Sequence, residues 1–196
     1  MGDYTVIRAV SETLRELLRA HITNDTEPQL NGVGIDLRSP REMREDNETQ
    51  GISLWLYRIV RNPDLLNRPP ARPAADQIAR HALPIDLYYL VTPIAAESAD
   101  EQVLMGRVLQ TFNDHPILRG SDFQDSLKDA ADELRLALET PSVEEQTRIW
   151  HSLQESYQLS VAYRVQLVSI EAAHEPVRSS PVLVRQADYR QVLAVK

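Results

Sequence analysis

The sequence contains no cysteine. That excludes disulfides, thiolate metal sites and a cysteine nucleophile, and it leaves the redox compartment open. Lysine is nearly absent as well. Only Lys128 and Lys196 occur, so almost all positive charge is arginine. Genome composition accounts for that bias better than selection for forked guanidinium contacts does. The formal net charge is −8, which argues against a nucleic-acid surface, because phosphate binding needs a basic field. No run of 18 apolar residues occurs, so no membrane-spanning helix and no direct membrane insertion are expected. The start, Met1-Gly2-Asp3-Tyr4-Thr5, shows no basic and then apolar leader. The expectation is a soluble protein made and kept in the cytoplasm.

The familiar chemical motifs are missing too. None of the six glycines falls in a dinucleotide, phosphate-loop or nucleophile-elbow pattern. The histidines His21, His81, His115, His151 and His174 stand at no metal-ligand spacing. His115 follows a helix end and is expected to cap it or answer its dipole. Trp55 and Trp150 suit a core or an interface better than base stacking in an acidic chain. No catalytic residue, cofactor-binding residue or metal ligand is therefore assigned. Carboxylates are plentiful, which keeps a small hydrolase open as an alternative class, but no spacing singles out a pair.

What is present is a strong alternation of strand and helix patterns. The clearest is Leu159–Glu171, with Val161, Tyr163, Val165 and Leu167 on one face and Ser160, Ala162, Arg164, Gln166 and Val168 on the other. It holds no Gly or Pro, and it is expected to be the spine of a sheet. Ile52–Val60 is apolar on both faces, with Ile52, Leu54 and Leu56 opposite Trp55, Tyr57 and Ile59, as in a strand that is central, covered on both sides, or covered on one side and used as an interface on the other. Ala82–Pro93 is a third strand, stopped at Pro93, and Val33–Leu37 is a short one.

Tyr4–Ala20 is an amphipathic helix. A second helix begins at Ser98, with Glu101 completing a capping box, and runs to about Asn113. Asp125–Thr140 fits helix and strand periods alike, and a strand is assigned at Glu133–Glu139. Pro141-Ser142 with Glu145 opens another helix. Ser39–Gly51 is charged and without period, and reads as a solvated loop.

At 196 residues the chain can bury roughly 70% of its unfolded surface as one domain. The expected class is α/β (α+β), a mixed, mostly antiparallel sheet flanked by helices. The expected division is one domain over residues 1–171 and an extended segment or arm over 172–196. The stretch Arg61–Pro73 carries four prolines and the pair Leu65-Leu66. It is long for a loop in a compact domain, and such loops are usually functional or disordered. A contact loop is the reading adopted here.

Three blocks in order carry a resemblance. They are ISLWLYRIVRNPDLLNRPP (Ile52–Pro70), LPIDLYYLVTPIA with the following ADEQVLMGRVLQTF (Leu83–Phe112), and TRIWHSLQESYQLSVAYRVQLVSIE (Thr147–Glu171). Together they resemble the tail-terminator (cap) family of phage-tail-like contractile injection systems. The resemblance implies a terminator-like fold and a ring, typically of six copies, on the baseplate-distal end of the inner tube and outer sheath. Such a ring ends polymerisation and ties the two layers together.

The resemblance further implies a homo-oligomer with tube and sheath proteins as partners, and assembly in the cytoplasm before incorporation into the particle. It implies no enzyme, no cofactor and no catalytic residue. A baseplate or tube-completion adaptor of the same particle is the alternative. Intermolecular contacts are expected from the proline-rich loop, through Asn62, Leu65, Leu66, Arg68 and Arg72. A second set is expected from the C-terminal segment, through Val182, Val184 and Tyr189.

Overall fold

The computed structural model describes residues 3–66, 69, 77–78, 80–127, 133–175 and 177–178. Helix α1 spans Val6–Leu18 and runs on into a π-helical turn, Arg19–Thr23. Strand β1 is Gly34–Asp36, α2 is Pro40–Glu45 and β2 is Gly51–Arg61. Then come β3 (Gln77–Ile78), β4 (Leu83–Ile94), α3 (Ser98–Asp114) and β5 (Ile117–Arg119). The chain continues through β6 (Glu133–Glu139), α4 (Val143–Ser152), β7 (Val161–Ile170) and β8 (Val177–Arg178).

The main sheet has six strands in the order β1-β2-β4-β7-β6-β5. Among the described residues only its β1–β2 pair is parallel. A separate two-stranded ribbon joins β3 to β8. This is the mixed, mostly antiparallel sheet expected, with β7 well inside it. Pro93 does not stop β4: the strand runs through it to Ile94, with Pro93 opposite Ile52.

One face of the sheet carries the main core. Ile52 and Leu54 of β2, Ile85, Leu87, Tyr89 and Val91 of β4, and Tyr163, Val165 and Val168 of β7 are all buried there. α1 presses Val6, Val10, Leu14 and Leu18 onto them, and α3 adds Leu104, Val108 and Phe112. Burying one such aliphatic side chain stabilises the fold by about 1.5–3 kcal/mol. A hydroxyl contact fixes α1 on the sheet, because Ser11 Oγ lies 2.8 Å from Tyr89 Oη inside this core. The opposite face holds a smaller cluster of Leu90, Trp150 and Leu153, with Trp55, Tyr57 and Ile149 packed against it. That cluster is the reason β2 is apolar on both sides.

Two β-bulges flank β4 and overturn strict alternation. On β7, Gln166 and Leu167 together face Asp86, between the pairs Ile85–Val168 and Leu87–Val165. Leu167 accordingly adopts a left-handed φ of 68°. The extra residue inverts the phase, so Val168 joins Val165 in the main core instead of facing away from it. On β2, Tyr57 is the extra residue between Leu56–Tyr89 and Arg58–Tyr88. Beyond it Ile59 pairs with Leu87 and turns to the main-core side, away from Trp55 and Tyr57. Period-two reading cannot see a bulge, since no residue type marks one uniquely.

The stretch read as a solvated loop, Ser39–Gly51, contains α2. Ser39 accepts from the Glu42 backbone N–H, Glu42 returns to the Ser39 N–H, and Pro40 stands in the first turn. Met43 is buried, with its Cε 2.8 Å from where a Cβ on Gly51 would stand. The capping box expected at Ser98 does not form: Glu97 is the N-cap and makes no side-chain cap bond. Along α3, Leu104, Met105, Val108, Thr111 and Phe112 are buried, while Val103 is 40% exposed. The Ser142–Glu145 box forms as read, and so does β6 at Glu133–Glu139. His115 caps α3, its Nδ1–H donating to Thr111 O at 2.9 Å.

Arg38 gathers β1 and the end of α2 by pairing with Asp36 (2.7 Å), Asp46 and Glu48 (3.3 Å). The hydrogen bonds from Arg38 hold the half-buried Asp36 carboxyl below its ordinary range. A carboxylate with a depressed folded pKa stabilises the fold fully above its unfolded pKa, and this is lost as pH falls through the folded value. Unfolding free energy measured by urea titration is therefore expected to be level in this contribution above about pH 4–5 and to fall on further acidification. Asp36→Asn should flatten that acid limb. An unchanged limb in the variant would mean the pair contributes nothing.

Candidate intermolecular surfaces

The far end of the β2–β4 hairpin is built around two buried polar residues. Asn62 is 5% exposed and Asp86 is 5% exposed. The Asn62 backbone N–H donates to Pro84 O at 3.0 Å, and its Nδ2 donates to Asp86 Oδ1 at 2.9 Å. Asn62 Oδ1 accepts from the Asp64 N–H at 3.0 Å, turning the chain out of the sheet. Arg164 of β7 approaches Asp86 Oδ2 at 3.8 Å and lies 2.7 Å from Glu139 Oε1 of β6. Asn62 was expected at an interface, yet its side chain is committed internally. It aims the loop, while Leu65 and Leu66, half-buried, begin it. The expected contact residues Arg68, Arg72, Val182, Val184 and Tyr189 lie outside the described residues, as does most of the 172–196 segment.

A surface that sequence reading missed lies along β2. β1 pairs only with Gly51–Ser53. Among the described residues, the outer edge of β2 from Leu54 to Arg61 pairs with no strand. Arg58 and Arg61 are exposed on it and Ile59 is 49% exposed. Charges and a bulge are the usual protection of an open edge. The signal available in the sequence was the appearance of arginine in an otherwise apolar strand.

The second such surface is a groove of about 440 Å³ between the sheet and the start of α4. Tyr57, Arg58, Tyr88 and Glu139 line the sheet side; Pro141, Glu145, Arg148 and Ile149 line the other. The rings of Tyr57 and Tyr88 meet edge to face at 6.4 Å, and the Arg58 guanidinium stands 5.2 Å over the Tyr88 ring. Burial pushes the Tyr57 hydroxyl up from the ordinary tyrosine value. Glu145 is held low by the Ser142 backbone N–H and hydroxyl of its capping box. These residues are scattered over some ninety positions, so no local pattern announced the groove. Among the described residues no group of three potential metal ligands comes together, and no helix is long and apolar enough to cross a membrane.

A family model, the Pvc16 N-terminal domain, matches residues 9–183. The chain belongs to the Pvc16 N-terminal domain family. Two solved structures share its fold. One is the PVC sheath/tube terminator of an extracellular contractile injection system in its extended state, with a TM-score of 0.65 and 19% identity. That alignment covers 100% of this chain and 67% of the other. The second is the anti-feeding prophage cap, a tube-terminating cap, with a TM-score of 0.60, 19% identity, and 92% of this chain against 60% of the other. The Pvc16-family chain thus spans only about two thirds of the length of these proteins. No curated protein sequence matches it.

Proposed function

We propose that this chain is a terminator, or cap, of a contractile injection system, and that it acts by binding alone. The observation that carries the reading is the family match over residues 9–183, joined to a fold shared with two terminating caps. In this reading copies of the chain close into a ring, six being the number the resemblance implies. The ring sits on the distal end of tube and sheath within an extracellular particle, after assembly in the cytoplasm. Tube and sheath grow by stacking rings, so their free end offers an unpaired surface. A cap matches that surface on one side and presents no copy of it on the other. A contact between two different patches of one protomer closes into a ring when its rotation closes. The open β2 edge and the outgoing loop at Asn62 supply such unlike patches, and strand addition along β2 suits a partner's extended arm.

Electron microscopy of the purified protein tests this directly. Class averages are expected to show rotational symmetry, and particles made without the chain should vary in length until it is added back. Lone molecules at every concentration, with particle length unaffected by the chain, would overturn the assignment.

A further inference from the structure

We propose that His21 and His115 together bind a divalent transition-metal ion of the imidazole-preferring class, such as zinc, and that the ion ties the end of α1 to the end of α3. The site lies within one chain and does not depend on ring formation. His21 stands in the π-helical turn that follows α1, and His115 is the C-cap of α3. Their rings meet with centroids 4.8 Å apart and planes tilted by 59°. Both side chains are half-buried.

The two imidazoles are held alike. His21 Nδ1 lies 2.9 Å from Leu17 O and His115 Nδ1 lies 2.9 Å from Thr111 O, each a carbonyl four residues back. A carbonyl oxygen only accepts, so both Nδ1 atoms carry the proton. Each neutral ring therefore keeps a lone pair on Nε2. Among the described residues neither Nε2 has a hydrogen-bond partner. One ring nitrogen donating to a backbone carbonyl, with the other left free, is the arrangement of a metal-binding histidine, because the carbonyl sets both tautomer and orientation.

The scaffold around the pair is braced. Arg107 of α3 donates from Nε to His21 O at 3.0 Å and from Nη2 to Asp25 Oδ2 at 2.5 Å. It fixes the turn against α3, and Asp25 answers its charge. Within the turn the Asn24 N–H donates to Arg19 O at 3.1 Å, one residue wider than an α-helical bond. Such π turns occur frequently at functional sites. Both histidines also stand at carbonyl ends of helices, where partial negative charge favours a cation. No third ligating side chain joins them among the described residues, so water completes the coordination. Imidazole suits zinc, copper and nickel, whereas magnesium and calcium call for oxygen ligands. The two residues come from elements far apart in the chain, so no local spacing announces them.

The test uses the full chain with the exposed histidines His81, His151 and His174 replaced by alanine, so that none of them binds zinc singly. Calorimetric titration with zinc chloride is expected to show one ion per chain, with no change in oligomeric state. His21→Ala or His115→Ala in that background should weaken zinc binding at least ten-fold. Because the ion binds the folded chain, zinc should raise the melting midpoint of the background protein and leave that of either variant unmoved. Magnesium should do neither. Nitrogen-15 NMR of the unsubstituted protein gives a second test should His115→Ala fail to fold. There zinc is expected to move the Nε2 resonances of both His21 and His115 and to leave their Nδ1–H protons in place. Equal zinc affinity with either histidine removed, a shift at only one ring, or one ion shared by two chains would overturn the site and leave a plain ring contact.

Discussion

Trp150→Ala is expected to destabilise the protein by about 3–5 kcal/mol, the cost typical of emptying a large buried aromatic site. Trp150 is 1% exposed, and with Leu90 and Leu153 it makes the buried part of the second core among the described residues. Its Nε1–H also donates to Ser160 Oγ at 3.2 Å, linking α4 to the entrance of β7. Among the described residues nothing comparable anchors α4, whose other residues are mostly solvated or half-buried. For a chain of this length each kcal/mol moves the melting midpoint by about 2–4 °C, so a fall of roughly 6–20 °C is expected. Trp150→Phe keeps a ring in the site and should lose only about 1–2 kcal/mol. Calorimetry at matched protein concentration checks both, because assembly would make the midpoint concentration-dependent. A midpoint unchanged in Trp150→Ala would mean that α4 is held by something other than this packing.

Asp86→Ala should cost about 2–4 kcal/mol, because it strips a buried hydrogen-bond partner from Asn62 and a nearby carboxylate from Arg164. The Asn62 Nδ2 contact at 2.9 Å is buried, while Arg164 keeps Glu139 as its closer partner. The larger part of the loss should therefore run through Asn62. A double-mutant cycle with Asn62→Ala isolates it, with an expected coupling of about 0.5–3 kcal/mol by urea melts. Asp86→Asn retains an acceptor of the same shape and should fall between wild type and Asp86→Ala. A coupling of zero would mean the two side chains are neighbours without mutual support. Asp86 also faces the β7 bulge and sits where the proline-rich loop departs, so Asp86→Ala is expected to weaken ring closure as well as the fold.

Much of the architecture was legible before any coordinates. The spine strand, the two other long strands, the helix opened by Ser142 and Glu145, and even the strand at Glu133–Glu139 follow from local periodicity and capping chemistry. α2 was legible too, in Ser39, Pro40 and Glu42, but six residues are too few for an apolar period to show and the charges around it masked the cap. The reverse error occurred at Ser98, where the residues of a capping box are present and Glu97 takes the cap position instead. Sequence spacing places a side chain near a backbone group without deciding which residue bends first.

The surfaces were a different matter. Asn62 looked like a contact residue because it opens a proline-rich loop; only the β2–β4 pairing brings Asp86 beneath it. Tyr57 joins the groove because a bulge keeps it on the α4 side while turning Ile59 away. By itself the sequence determined most of the long strands and helices, and that the chain lacks thiol chemistry and a basic field. Those follow from backbone sterics, side-chain solvation and charge, which act over a few neighbouring residues. The tertiary structure alone decided the strand order, the phase of β7 beyond Leu167, the unpaired length of β2, and the meeting of Tyr57, Tyr88, Glu139 and Glu145. Each of these depends on register between strands far apart in the chain, and one extra residue in a ladder exchanges the faces of everything after it.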